Sequence, residues 1–469
     1  MPTNVLLIHS DQHRWDCVGR RAHHPQLRTP NLDRLAAEGV DFTNAHTPSP
    51  ICTPARASLL TGQWPHQHGV LSIPPTEVSA APHRTSLPPD ADLLWTRLKD
   101  AGYRQGHVGK WHNETEHPPS HYLDDYVHED EYFPWRKQQG IPDQPEANVW
   151  FGETDPHVDK DTHRLGWEAD HVTRLLDEYK ADGRPFMLRW DPSEPHLPNR
   201  VPPEVAAMYP SEDCHPWDSY PDPLDGKPYI QHQQRRTWGV DDWTWDDWQP
   251  IVSRYLGEIT HMDEMIGRVL DRLDDLGLAE DTLVIYSTDH GDLCGGHGMI
   301  DKHFILYDEV TRVPLTMRLP SRLPAGRVCE EWVTHEIDLA RTIVNLCTGE
   351  TPESFKVGRG VDLLPVAAGD QTTGRDEIYG QWFGGQFGLY SQRMIRDGRY
   401  KLIHNATAED ELYDLEADPG EVTNLAADPT HQDTLMRLRG RLLAWMQELK
   451  DPLLNYFTRP QLTKPGVKV

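Results

Sequence analysis

Thr282-Leu283-Val284-Ile285-Tyr286, running into Ser287-Thr288-Asp289-His290-Gly291-Asp292, is the stretch whose reading decides the fold. Five apolar residues in a row, without polar alternation, suit a strand covered on both faces, and the polar cluster marks its end. Three other runs share this grammar. Val5-Leu6-Leu7-Ile8 leads into His9-Ser10-Asp11-Gln12, and Tyr103–Val108 leads into Gly109-Lys110-Trp111-His112. Phe186-Met187-Leu188-Arg189-Trp190 leads into Asp191-Pro192-Ser193-Glu194-Pro195-His196. Helical patterns lie between the runs. One begins at Thr29-Pro30 and stops at Gly39, and another covers Ile251 to Leu278 with Tyr255, Ile259, Met262, Ile266 and Leu270 at helical spacing. Strand alternates with helix, so the class is α/β with a parallel or mixed sheet.

Beyond the loop at 369–374 the pattern changes. Ser391–Arg396 and Tyr400–His404 flank Asp397-Gly398 as a hairpin, Glu411–Leu415 adds a strand, and Leu435–Leu449 reads as an amphipathic helix. The expected division is therefore a catalytic domain at 1–370 and a small α+β subdomain at 371–469. Two stretches carry little regular signal: Asn113–Asp161, and Pro192–Pro250 with its five tryptophans Trp217, Trp238, Trp243, Trp245 and Trp248. Long irregular segments after strand ends are binding loops or packing decoration.

Among 469 residues, 74 acids against 46 bases give a formal charge of −28. That balance argues against nucleic acid or an anionic membrane surface as a partner. No run of eighteen apolar residues is present, so no spanning helix is expected. The opening Met1-Pro2-Thr3-Asn4 has no basic or apolar leader character, which gives a cytoplasmic expectation. The six cysteines include no C-x-x-C pair and read as reduced thiols.

The four polar clusters should share one sheet edge, because ligands of open α/β sheets bind beyond the carboxyl ends of the strands. Asp11, Gln12, Asp289 and His290 then supply donors for a hard divalent cation, Ca²⁺ or Mg²⁺, and the histidine nitrogen admits Mn²⁺. Cys52-Thr53-Pro54-Ala55-Arg56, followed by Thr61-Gly62, reads as a helix with Pro in its first turn and Gly at its end. A side chain at that N-terminus meets free N–H groups, and Arg56 lies one turn on along the same face. Composition alone yields Cys-x-Pro-x-Arg only about 0.04 times in a chain like this. Lys110 and Lys302 flank the same loops; His66 and His68 read as loop-shaping residues, and His46, His297 and His303 as a supporting layer.

Taken together, Cys52-Thr53-Pro54-Ala55-Arg56 with Thr61-Gly62, Gly109-Lys110-Trp111-His112, Ser287-Thr288-Asp289-His290-Gly291 and Lys302 resemble, in order, the blocks of the type I, formylglycine-dependent sulfatases. The resemblance runs from Asn4 to about Asn424 and implies an alkaline-phosphatase-like fold, with a large central mixed sheet flanked by helices. It also implies that a formylglycine-generating enzyme converts Cys52 to formylglycine, whose hydrate is the nucleophile. By the same carry-over, Asp11, Gln12, residue 52, Asp289 and His290 hold one divalent cation, usually Ca²⁺. Arg56, Lys110 and Lys302 hold the nucleophile and the sulfate oxygens. His196 or Lys302 protonates the departing alcohol, and His112 takes the proton from the second hydroxyl as sulfate leaves. The implied substrate is a sulfate ester of a sugar, small alcohol or aryl group. Gln12 with His290 also occurs in the related phosphonate monoester and phosphodiester hydrolases, which makes that activity the first alternative. A non-catalytic sulfate-ester binding protein with an unmodified Cys52 is the second.

Overall fold

The computed structural model describes residues 2–74, 84–112, 115, 117–146, 150–385 and 388–465. Parts of the irregular 113–161 stretch therefore lie outside the described residues. Eight strands form the central sheet: β1 (Asn4–Ser10), β2 (Val40–His46), β3 (Arg104–Gly109), β4 (Asp125–His128), β6 (Phe186–Asp191), β8 (Thr282–Thr288), β9 (Arg312–Arg318) and β10 (Arg327–Thr334). A two-stranded pair, β5 (Glu153–Thr154) and β7 (Arg200–Val201), stands apart. The order across the sheet is β10-β2-β9-β8-β1-β6-β3-β4. Only β9 runs against its neighbours, so the sheet is mixed.

The four strands expected from apolar runs are consecutive in that order, β8-β1-β6-β3, and all parallel. Alternate side chains enter two separate cores. Val5, Leu7, Met187, Leu283 and Ile285 pack on one face with the 94–100 and 335–348 helices. Leu6, Ile8, Leu188, Trp190, Val284 and Tyr286 pack on the other with the 164–182 and 245–275 helices. With both faces covered, the runs have no reason to alternate with polar residues.

The C-terminal region forms a four-stranded antiparallel sheet, β11 (Ile378–Gly385), β12 (Gly388–Arg396), β13 (Tyr400–Asn405) and β14 (Glu411–Asp414), in that spatial order. The 432–448 helix covers Ile395, Leu402 and Leu412 on one face. Ile378, Met394, Ile403 and Tyr413 on the other face pack against Ile305, Leu306 and Tyr307.

The long helix starts at Trp245 rather than after Pro250. Asp247 accepts from the Thr244 backbone N–H at 2.8 Å, and Trp248 is fully buried, so a cap and packing outweigh one proline. Trp217 and Trp248 belong to a hydrophobic cluster, and Trp382 is buried against His303 and Phe304. These rings pack within the protein instead of offering a face to a sugar. No helix among the described residues is long and apolar enough to cross a membrane.

Candidate active site

The parallel register brings the four strand ends together. Ser10 pairs with Thr288 across β1 and β8, and Gly109 pairs with Asp191 across β3 and β6. Asp11, Lys110, Asp191 and Asp289 therefore stand at or just beyond one sheet edge. The 52–61 helix points its first residue into this edge. All ten of its residues are buried, it has no side-chain cap, and Gly62 ends it in the left-handed region at φ 65°. An uncapped N-terminus leaves its N–H groups and its positive dipole end for the group at residue 52.

Four donors converge there: Asp11, Cys52, Asp289 and His290 each place a ligand atom within 4.8 Å of the others. Cys52 Sγ lies 3.2 Å from His290 Nε2 and 3.6 Å from Asp11 Oδ1. His290 Nε2 is also 3.6 Å from Asp11 Oδ1 and 3.6 Å from Asp289 Oδ1. The other imidazole nitrogen, Nδ1, donates to the Gly291 carbonyl at 2.9 Å, which turns Nε2 to the cluster. Burial, and then the Asp11 charge, push Asp289 up to about 7. Two buried carboxylates held together at this expense, with an imidazole nitrogen beside them, fit a divalent cation, which would relieve the repulsion of the carboxylates and take the place of the imidazole proton.

The remaining carboxylate oxygens face cations. Arg56 donates Nε to Asp289 Oδ2 at 3.0 Å, Nη2 to Asp11 Oδ2 at 3.0 Å and Nη1 to Asp191 Oδ2 at 2.6 Å. Lys110 Nζ lies 2.8 Å from Asp11 Oδ2 and 4.0 Å from Cys52 Sγ. Each Asp of the cluster is thus oriented through its second oxygen. Burial and Asp11 raise the Cys52 thiol, but Lys110, Lys302 and His290 outweigh them and hold it well below the ordinary thiol range.

Lys302 Nζ donates to Gln12 Oε1 and to His196 Nε2, both at 2.8 Å. His196 Nδ1 donates to the Leu197 carbonyl at 2.5 Å, which fixes Nε2 as the nitrogen facing Lys302. Burial, followed by Lys302 and Lys110, lowers the His196 pKa, so its resting state is the neutral ring. Gln12 adopts a left-handed backbone at φ 68° and donates Nε2 to Asp292 Oδ2 at 2.6 Å. Its amide oxygen is turned to Lys302. His112 lines the same cavity as Lys110 and His196, and its buried Nδ1 has no hydrogen-bond partner among the described residues.

Of the supporting histidines, His303 Nε2 lies 2.9 Å from Asp301, next to Lys302. His297 pairs with Asp222 at 2.7 Å, and His46 packs against Trp332. His66 reaches Gln381 and the Leu449 carbonyl, and His68 contacts Ser58 at 3.1 Å.

Asp191 was not among the residues chosen from the sequence. It is fully buried, takes both Arg56 and Arg189, and its backbone carbonyl accepts from the Lys110 N–H at 2.8 Å. Its position at the end of an apolar run was the available signal. Glu129, Arg164 and Glu258, which line the cavity beside His196, were also missed.

The family model described as Sulfatase matches residues 3–349, and the one described as N-sulphoglucosamine sulphohydrolase, C-terminal, matches residues 295–448. The chain is 31% identical over 474 residues to the uncharacterized sulfatase YidJ of Escherichia coli K12, covering 97% of this chain and 89% of that one. The crystal structure of phosphonate monoester hydrolase of Agrobacterium radiobacter has a TM-score of 0.79 at 24% identity, with 97% of each chain covered. The structure of BT4656 in complex with its substrate D-glucosamine-2-N,6-O-disulfate has a TM-score of 0.73 at 20% identity, covering 97% of this chain and 100% of that one. At these identities the two structures speak for the fold alone.

Proposed function

This chain belongs to the sulfatase family, and from that membership we propose that it hydrolyses a sulfate monoester of a sugar, small alcohol or aryl group, with oxidised Cys52 as nucleophile. One observation carries the reading. Cys52 is 2% exposed and sits between the Asp11/Asp289/His290 donors on one side and Lys110 on the other. A thiol with structural work alone does not need that surrounding.

Asp11, Asp289, His290 and residue 52, with Gln12 beside them, would hold one divalent cation, Ca²⁺ in most relatives of this kind. When bound, it supplies Lewis acidity that favours the ionised form of the nucleophile. Formylglycine at position 52 supplies, as its hydrate, one hydroxyl to attack sulfur and a second whose deprotonation expels sulfate. Arg56 holds the carboxylates and the nucleophile in register. Lys110 and Lys302 meet the sulfate oxygens, and their fixed charges stabilise the anion without reorganisation. Lys302, which donates to His196 Nε2, carries the proton of this pair, and that proton passes to the leaving oxygen from Lys302 or through His196 Nε2. His112 accepts the proton of the second hydroxyl. Residues 1–370 form the catalytic domain in this reading and 371–469 the C-terminal subdomain.

The test compares kcat/KM for an aryl sulfate and the matching aryl phosphonate monoester. The sulfate is expected to be the faster substrate. Faster phosphonate cleavage favours the second reading, a phosphonate monoester or phosphodiester hydrolase, for which Gln12 beside His290 speaks. Full thiol mass at Cys52 in protein from its native host would favour binding without catalysis.

A further inference from the structure

The cavity next to His196 holds acidic groups that the reaction above does not use. It measures about 250 Å³ and is lined by Lys110, His196, Glu129, Arg164, Glu194 and Glu258, among others. Glu194 and Glu258 are each 2% exposed, and a carboxylate oxygen of each lies within 4.8 Å of the other and of a His163 nitrogen.

Positive charge is short here. Arg164 donates Nε and Nη2 to Glu194 Oε1 at 3.1 and 2.9 Å, and its Nη1 lies 3.4 Å from Glu129 Oε2. The same guanidinium also faces buried Glu168. Lys110 is paired with Asp11, and Arg200 Nη1 is turned to Gln144. Glu258 receives one hydrogen bond, from Asn199 Nδ2 at 2.6 Å. Glu194 Oε2 is buried and has no hydrogen-bond partner among the described residues. An unmatched buried carboxylate oxygen is costly and marks a place where a ligand donor is missing. Burial, and then the Glu194 charge, push Glu258 well above the usual carboxylate range, and the Asn199 hydrogen bond and the Arg164 and Arg254 charges do not offset them.

A metal ion does not fit. His163 Nδ1 accepts from the Leu165 N–H at 3.3 Å and Nε2 donates to the Arg200 carbonyl at 3.1 Å, so both ring nitrogens are engaged. What remains is an oxygen acceptor with a second acid beside it, in the cavity where the alcohol part of an ester attacked at Cys52 and protonated by His196 would lie.

We propose that Glu194 and Glu258 form a subsite for a protonated amine on the alcohol part of the substrate, such as an amino sugar. The ammonium donates to Glu194 Oε2 in a charge-assisted bond and lets Glu258 release its proton to become the second acceptor. This proposal rests on the sulfate-ester reading.

The test measures binding of glucosamine, N-acetylglucosamine and glucose by calorimetry to metal-loaded protein with oxidised Cys52, which needs no turnover. Glucosamine is expected to bind at least about tenfold more tightly than glucose. N-acetylglucosamine, which carries the nitrogen without the charge, should bind like glucose. Glu194→Gln and Glu258→Gln should each shrink the preference, with thermal melts checking that both fold; if one fails to fold, the other decides. Equal affinities, no binding of any of the three, or a preference that survives in a folded variant would overturn the subsite. A wild type that prefers glucosamine but hydrolyses no sulfate ester would overturn the sulfatase reading and leave the subsite standing.

Discussion

Nε2 of His290 lies 3.2 Å from Sγ of Cys52, because the opposite nitrogen of the ring is held by a backbone carbonyl. Residue 52 and a donor of the proposed cation site are thus set against each other by the orientation of one ring. Cys52 is also buried within a helix, so an enzyme that oxidises it must act before the chain folds. Peptide mass should fall by about 18 Da when thiol becomes aldehyde, by atom counting. Protein refolded as the thiol should show no such loss and little turnover, and Cys52→Ala should show none.

Arg56 meets three buried carboxylates through three nitrogens of one planar group. A lysine keeps the charge but has a single ammonium, which does not reach all three. Breaking a buried pair costs about 3–5 kcal/mol. Arg56→Lys is therefore expected to lower the melting temperature and weaken metal uptake together; a melt unchanged from wild type would refute the orienting role.

His196 and Lys302 serve the leaving oxygen in the proposed reaction. Their loss should matter most where the alcohol leaves poorly. His196→Ala should reduce kcat/KM for an alkyl sulfate by about 10²–10⁴ and for a nitrophenyl sulfate by much less. Equal losses on both substrates would remove His196 from proton transfer.

If the proposed cation binds between Asp11 and Asp289, their crowding makes stability depend on it. A divalent ion at about one hundred times its dissociation constant adds about 2.7 kcal/mol to the folded state. Chelation should lower the melting temperature, with Ca²⁺ restoring it, and Asp289→Asn should abolish that response.

Buried histidines set an acid limit. Burial lowers His163 to about 4, and His68 and His261 to about 3. Each is neutral in the folded chain and takes up a proton on unfolding below its free value near 6.5. Their contribution is full above about 6.5 and is lost as the pH falls through the folded values. Urea midpoints should drop steadily from pH 6.5 to about 4, and His261→Gln should flatten the slope.

Much of the fold was legible. The four apolar runs announced buried parallel strands because a strand covered on both faces has no polar side to display. The strands that escaped notice lacked this pattern. β4, Asp125-Tyr126-Val127-His128, is a short edge strand, β9 carries Pro314, and β10 is interrupted by Glu330 and Glu331. β11 was missed as well, since Ile378–Gly385 contains three glycines.

The sequence by itself put candidate residues at the strand ends: Asp11, Lys110, Asp289 and His290 lie in the polar clusters that follow apolar runs, and Cys52 and Arg56 lie one helical turn apart, while the roles expected of them came from the resemblance to the sulfatases. Glu258 was visible in principle, as a charge on the apolar stripe of Tyr255, Ile259 and Met262, but its neighbour Glu194 is 64 residues away. Only the tertiary structure decided that these two share a cavity with His196, and that Asp191 anchors Arg56. Such pairings depend on which helix covers which face of the sheet, and that is fixed by packing between distant segments rather than by any repeat along the chain.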